Sequence, residues 1–285
     1  HTRKRLLEIL NRDKYLYAMF LPFFIYYIIF SYIPMTGLVI AFKDFKPGFG
    51  IYHGDWVGLK WFVQFFNSPY AVRTIRNTVL ISLYDLVFGF PVPILFAVCI
   101  MEIRNMGYRR IVQTASYLPH FISTVVMVGI LVNFFTINNG IVNNIIAALG
   151  GTRINFMSKP EMFKSIYVLS GIWQNMGYSS ILYLAVLTGI DPTLYEAAII
   201  DGASRMKKIR HIDLPFLIPT IIIMLILALG QIMNVGFEKI YLMQNKLNLS
   251  ASETIATYIY KIGIENANFS YSAAIGLFNS VINCV

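Results

Sequence analysis

Charge is what this chain has least of. Only 13% of its 285 residues are Asp, Glu, Lys or Arg, while 57% are hydrophobic; an ordinary soluble domain carries about 25% charged residues. So few charges cannot cover a soluble surface of this size, which argues against a water-soluble enzyme. Two cysteines, Cys99 and Cys284, leave no disulfide framework and no Cys-rich metal site. The four histidines, His1, His53, His120 and His211, are far apart and lack HExxH spacing, so a metal hydrolase has little support. Neither GxxxxGKS nor GxxxxGKT occurs, so the chain has no phosphate-cradling loop of its own. There is no GxGxxG before a helix and no GxSxG elbow. Disorder is excluded because 15% of the residues are aromatic.

What is present is length in apolar runs. Five are long enough to cross ~30 Å of hydrocarbon: about 15–42, 79–101, 118–137, 166–190 and 214–235. A sixth, 272–285, is shorter than the ~20 residues a spanning helix needs. The expectation is an all-α polytopic membrane protein whose last helix is truncated in this chain and continues past Val285. The first run is too long for a signal-peptide core and has no small-residue cleavage site, so it reads as an anchor that stays. Residues 15–285 then form one transmembrane domain after a basic N-terminal segment, 1–14.

The net charge of +9 would suggest nucleic acid in a soluble protein. Here most Lys and Arg lie between the apolar runs, where they set topology and anchor the interface, and no nucleic acid is expected. With the N-terminus in the cytoplasm, segments 1–14, 102–117 and 191–213 face inward. Arg3, Lys4, Arg5, Arg12, Lys14, Arg104, Arg109, Arg110, Arg205, Lys207, Lys208 and Arg210 fall there. Per residue, that is roughly twice the basic density of the outer segments. The outer stretch 43–77 holds Trp56, Trp61, Phe62, Phe65 and Phe66, an aromatic set suited to an interfacial helix or packed cap. Gly50, Gly54 and Gly58 there do not make a GxxxG packing motif, because His53 and Asp55 intervene.

Asp85 is the one acid well inside a span, about seven residues deep. An intramembrane acid is a functional-site hypothesis by default; the bland alternative is a carboxylate hydrogen-bonded to neighbouring helices or water.

The most informative stretch runs from Gly189 to Thr220. Asp191 followed by Pro192 is a helix start, with an Asp cap and Pro at the first helical position. Ala197 and Ala198 are small enough for another surface to approach. Gly202 sits where a helix would end. A basic run from Arg205 to His211 follows, and Leu214-Pro215 reads as the start of the fifth span. This is a short helix projecting between two spans.

The stretch resembles the EAA loop of binding-protein-dependent ABC importer permeases. That pattern is E-A-A, three residues, G, nine residues, then I-x-L-P. Here it is Glu196-Ala197-Ala198, Gly202, Ile212, Leu214 and Pro215, with Asp201 in the common E-A-A-x-x-D-G form. Stretches 10–45, 76–105, 109–123, 138–150 and 258–283 look like the polysaccharide-type subfamily of sugar permeases, and the overall look points toward the alginate importers within it. The resemblance implies a six-helix type I ABC importer permease in the bacterial plasma (inner) membrane. It implies a second, different permease subunit, making a heterodimer, two cytoplasmic ATPase subunits and an extracytoplasmic solute-binding protein. No cofactor is then bound by this chain; ATP-Mg sits on the partner ATPase. Loop 191–213 would dock on that ATPase through Glu196, Ala197, Ala198, Asp201 and Gly202.

A carbohydrate path needs amides, hydroxyls and aromatic faces. The candidates are Asn133, Trp173, Gln174, Asn175, Tyr178, Gln231, Asn234 and Glu238. Singly, an amide in a span is more often bonded to a neighbouring helix. Gln174-Asn175 and Gln231-Asn234 stand out as pairs on the fourth and fifth spans. An anionic polysaccharide would also need basic groups along its route. Arg73, Arg76, Arg153, Lys159, Lys239 and Lys246 lie in outer segments, where interfacial anchoring explains them equally well. Two alternatives stay open. The coupling loop alone does not separate a sugar permease from one for a phosphate, peptide or amino acid. An ion-coupled secondary transporter would want paired ionisable groups near the midplane, and only Asp85 offers one.

Overall fold

The computed structural model describes residues 12–51 and 53–284. Most of the basic N-terminal segment, including Arg3, Lys4 and Arg5, lies outside the described residues. Among those described there is no strand, only helices, turns and one isolated bridge between Lys43 and Trp56. The chain divides into two compact units. One runs up to Asn67 and adds Ile259–Phe278; the other is Ser68–Tyr258 with the segment from Asn279.

In the first unit, the helix Lys14–Phe42 is long and apolar enough to cross a membrane, and none of its apolar window is buried. Its outward side chains, such as Met19, Phe23 and Phe30, suit lipid rather than water. The aromatic stretch after it folds back as a packed cap. Trp61 donates its indole N–H to the Lys43 carbonyl at 2.9 Å, Phe42 stacks on Trp56, and Phe45 N–H bonds the Ser270 hydroxyl at 2.9 Å. Gly54 has φ +103, and a Cβ there would lie 2.4 Å from the Asp44 carbonyl. The glycine is a turn residue, not a packing motif.

In the second unit, the helices Pro69–Met101 and Arg205–Leu229 are also long and apolar enough to span. A fourth candidate is the pair Met106–Phe121 and Thr124–Phe135, bent by 99°. The expected third span at 118–137 is therefore broken. Pro119 and His120 form a 3-10 turn at the bend, and Ser123 caps the second piece by accepting the Val126 N–H. The expected fourth span starts earlier, at Pro160, and is two helices, Pro160–Ser179 and Ile181–Thr188. The fifth, expected at 214–235, is displaced toward the N-terminus. It starts at Arg205, after Ser204 caps the Lys207 N–H, and ends at Leu229, where Gly230 follows.

The last displacement has a physical reason. Proline lacks an N–H and its ring clashes with the carbonyl four residues back. The helix answers by widening the turn just before Pro215 to a π-turn, Ile209–Asp213, in which the Leu214 N–H bonds the Ile209 carbonyl. So Leu214-Pro215 does not begin the helix; the helix passes through it. The same solution precedes Pro91, where Asp85–Gly89 is a π-turn and the Phe90 N–H bonds the Asp85 carbonyl at 3.0 Å. It recurs before Pro34, at Ile28–Tyr32.

Two apolar cores hold the second unit. Ile81, Met127, Leu131, Phe163 and Ile240 belong to one; Ala97, Ile100, Tyr183, Leu187 and Leu217 belong to the other. At the start of the 69–101 helix, Arg73 pairs with Glu253, and Asn77 donates to the Ser250 and Glu253 carbonyls at 3.0 Å each. At its other end, Glu102 lies 3.8 Å from Arg205. A helix of this length is roughly 50 Å long. Glu102 and Arg205 thus share one end of this helix and Ser250 and Glu253 the other.

Candidate functional site

The coupling segment is a capped helix, Pro192–Ile200. Asp191 accepts the Thr193 N–H at 2.9 Å, which satisfies one of the orphan donors at the helix start. Glu196, Ala197, Ile199 and Ile200 are exposed, Ile200 by 86%, so an apolar helix end stands in the open. Asp201 closes the helix and Gly202 turns the chain with φ +70, a conformation that disfavours any residue with a Cβ. Tyr195 points the other way and donates its hydroxyl to Asp213 Oδ1 at 2.5 Å. Ile212 packs against the second core, and Leu214 and Pro215 lie inside the long helix. Burial, then the hydrogen bond to Asp213, raises the Tyr195 hydroxyl above its ordinary value of 10.0.

The second feature is a cavity of about 950 Å³ in the same unit. It is walled by the middle of the 69–101 helix, by residues 167–185 and by residues 224–239. Of the candidate path residues, the structure brings together Gln174, Asn175, Tyr178, Gln231 and Asn234, with the intramembrane acid Asp85 on the same wall. Asp85 opens the π-turn of its helix. Gly89 makes room for it, since a Cβ there would meet the carboxylate at 2.6 Å. Gln174 donates its amide to the Ile122 carbonyl at 3.0 Å. Tyr178 stacks on His120 at 3.8 Å, and His120 Nδ1 is 3.0 Å from Asn175 Oδ1. The bend of the broken span is thereby pinned to the polar face of the 160–179 helix.

Three candidates lie elsewhere. Asn133 donates back to the Gly129 carbonyl of its own helix, and Trp173 and Glu238 are exposed outside the cavity wall. The Gln231-Asn234 pair is in the cavity but not on a span. It lies in a turn after Gly230, where Asn234 donates to Gln231 Oε1 at 3.0 Å. Lys239 is the main residue that sequence reasoning placed wrongly. It reads as an outer-loop anchor, yet it lines the cavity, donating to the Tyr167 carbonyl at 3.0 Å with its ammonium 4.8 Å from the Tyr167 ring centre. Its signal was its distance from the apparent span end, and that end was misplaced by six residues.

A family profile described as "Binding-protein-dependent transport system inner membrane component" matches residues 89–285. Among curated relatives, protein LplB of Bacillus subtilis is 43% identical over 276 residues, covering 97% of this chain and 87% of that one. The polygalacturonan/rhamnogalacturonan transport system permease protein YteP of Bacillus subtilis is 42% identical over 283 residues, covering 99% and 88%. Among solved structures, a chain of a bacterial ABC transporter involved in the import of the acidic polysaccharide alginate superposes with TM-score 0.91 at 43% identity, covering 98% of this chain and 94% of that one.

Proposed function

Because this chain belongs to the family of inner membrane components of binding-protein-dependent transport systems, we propose that it is the permease subunit of an ATP-driven bacterial importer of acidic oligo- or polysaccharide fragments. The relatives support the acidic class, since polygalacturonan and alginate are both polymers of uronic acids. A solute-binding protein delivers the sugar from outside. A second, different permease completes the path, and two cytoplasmic ATPases, each holding ATP-Mg, supply the energy. The N-terminus and loop 191–213 face the cytoplasm.

The observation that carries this reading is a continuous mechanical connection. The exposed 192–200 helix is tied through Tyr195 and Asp213 to the 205–229 helix. That helix runs without a break to Met224, Leu227 and Ala228, which line the cavity. At 1.5 Å per residue, movement of the loop reaches a wall some 16 Å or more away as one rigid element. ATP-driven closure of the ATPases, gripping Ala197, Ala198 and Glu196, would thus rotate the cavity wall between inward-open and outward-open states. Each partner must favour one of those states.

Gentle purification of the tagged chain from its native membrane tests this. The expected companions are an ATPase with a P-loop, a second permease with a coupling loop and an extracytoplasmic binding protein that titrates with uronate oligomers. A chain that purifies alone, even after crosslinking at residues 196–202, would refute the reading and reopen ion-coupled transport.

A further inference from the structure

Among the described residues, the cavity wall holds one basic side chain, Lys239, and one acidic one, Asp85. They are not in ion-pair contact. We propose that Lys239 is the charge-reading residue of this permease, binding the carboxylate of a uronate unit as the chain passes, so that the cavity selects for acidic over neutral saccharide independently of the binding protein. This rests on the importer reading above.

Three observations point the same way. First, a cation on the wall of a largely apolar cavity is costly to keep and is retained where it does something. Second, its position is fixed from behind. The Tyr167 carbonyl takes one donor at 3.0 Å, and the Tyr167 ring supports the ammonium. An ammonium has three donors, and this is its only hydrogen bond among the described residues, so donors remain for a ligand. Third, the surrounding wall suits the rest of a sugar ring. The Gln174 amide oxygen and the Gln231 amide N–H donors have no partner among the described residues, and Asp85 can accept hydroxyl donors, while Asn175 and Tyr178 are engaged by His120. The alternative use, a Lys239–Asp85 latch across the cavity, would leave uptake blind to substrate charge.

The test compares two probes, trigalacturonate and its fully methyl-esterified form, in proteoliposomes holding the whole complex with its binding protein. Lys239→Gln and Lys239→Arg are compared with the parent, and co-purification of the ATPase checks that assembled complexes are being compared. Because the binding protein is the same throughout, any change between variants reports on the permease. The parent imports the acid faster than the ester. Lys239→Gln lowers acid uptake about tenfold or more, the scale of one hydrogen bond to a charged group, chiefly through KM, and Lys239→Arg restores most of it. The proposal is overturned if Lys239→Gln imports the acid within twofold of the parent, if the parent imports the ester as fast as the acid, or if Lys239→Arg fails as completely as Lys239→Gln. If the parent imports neither probe, the acidic-saccharide reading itself falls, and this assignment with it. A parent that imports the acid beside an unaffected Lys239→Gln removes only this assignment.

Discussion

The 69–101 and 205–229 helices each widen by one residue ahead of a proline, and each widened turn carries an aspartate to a different fate. Asp85, at the start of the first π-turn, faces an open cavity. Asp213, at the end of the second, is only 2% exposed and is bonded by the Tyr195 hydroxyl. The backbone cause is the same in both cases, a missing proline N–H and a crowded carbonyl. What differs is the neighbour. Gly89 leaves space over Asp85, whereas Tyr195 closes over Asp213. The distortion supplies a polar position, and packing decides whether that position becomes a site or a joint.

The comparison is broken most severely by separating the joint from its lever. Gly202→Val puts a β-branched side chain at φ +70, where the strain of a left-handed residue is about 1–2 kcal/mol or more. The 192–200 helix would leave the chain at a different angle. Transport and binding-protein-stimulated ATP hydrolysis are expected to fall more than tenfold, while the cavity end stays intact by crosslinking between cysteines placed at its walls. Normal stimulated hydrolysis in this variant would sever the loop from its coupling role.

Next in size is the joint itself. Tyr195→Phe leaves the Asp213 carboxylate buried without its hydrogen-bond donor, a loss of about 1–3 kcal/mol, read as a lower thermal midpoint of the detergent-solubilised complex. The pH profile separates this from simple loosening. The Tyr195 hydroxyl is raised above 10.0, by burial first and then by Asp213. The folded state therefore holds that proton longer than the unfolded one. Its contribution is complete below about pH 10 and is lost as pH rises further. The parent should lose stability there more steeply than Tyr195→Phe; parallel alkaline profiles would mean the bond contributes nothing.

On the site side the effect is smaller. Gly89→Ala would place a Cβ 2.6 Å from Asp85 Oδ1. The carboxylate can swing aside, at the ~0.5–1.5 kcal/mol of a strained rotamer. Stability should change little and the KM for transport by up to about tenfold. A large drop in thermal midpoint with unchanged KM would make Asp85 a structural group after all.

These two regions also mark what was legible. The coupling helix could be read residue by residue, because its determinants are local: an Asp cap, a Pro at the first position and a Gly at the turn, all within 12 residues. The cavity could be read only in part. Gln174, Asn175 and Tyr178 follow from their place in an apolar run, but Lys239 depends on where the 205–229 helix stops. Hydropathy carries the run on through Ile232, Met233 and Val235, whereas Gly230 ends the helix and turns Met233 and Val235 back into the core. Pro215 misled in the same way. Read locally Leu214-Pro215 starts a helix, whereas the helix passes through it by way of the π-turn 209–213. The bend at Pro119–His120 is held by Gln174, Asn175 and Tyr178, contacts that no local pattern announces because they join residues more than 50 apart.

The smallest expected effect tests whether the lever's own cap matters once the joint is intact. Asp191 is fully open, and its carboxyl is held below 3.8 by the Thr193 N–H first and the Thr193 hydroxyl second. With the folded value depressed, its contribution is present above the ordinary carboxylate range and is lost as pH falls through the folded value. Limited proteolysis of the 189–204 loop should therefore accelerate below about pH 4 in the parent. Asp191→Asn keeps an oxygen for the Thr193 N–H but cannot titrate, so its cleavage rate should stay flat through the same range. Asp191→Ala removes the acceptor and should be cleaved faster at every pH. If Asp191→Asn speeds up with acid as the parent does, the acid sensitivity lies elsewhere in the loop. The coupling end would then owe its shape to Gly202 and the Tyr195–Asp213 joint rather than to the cap.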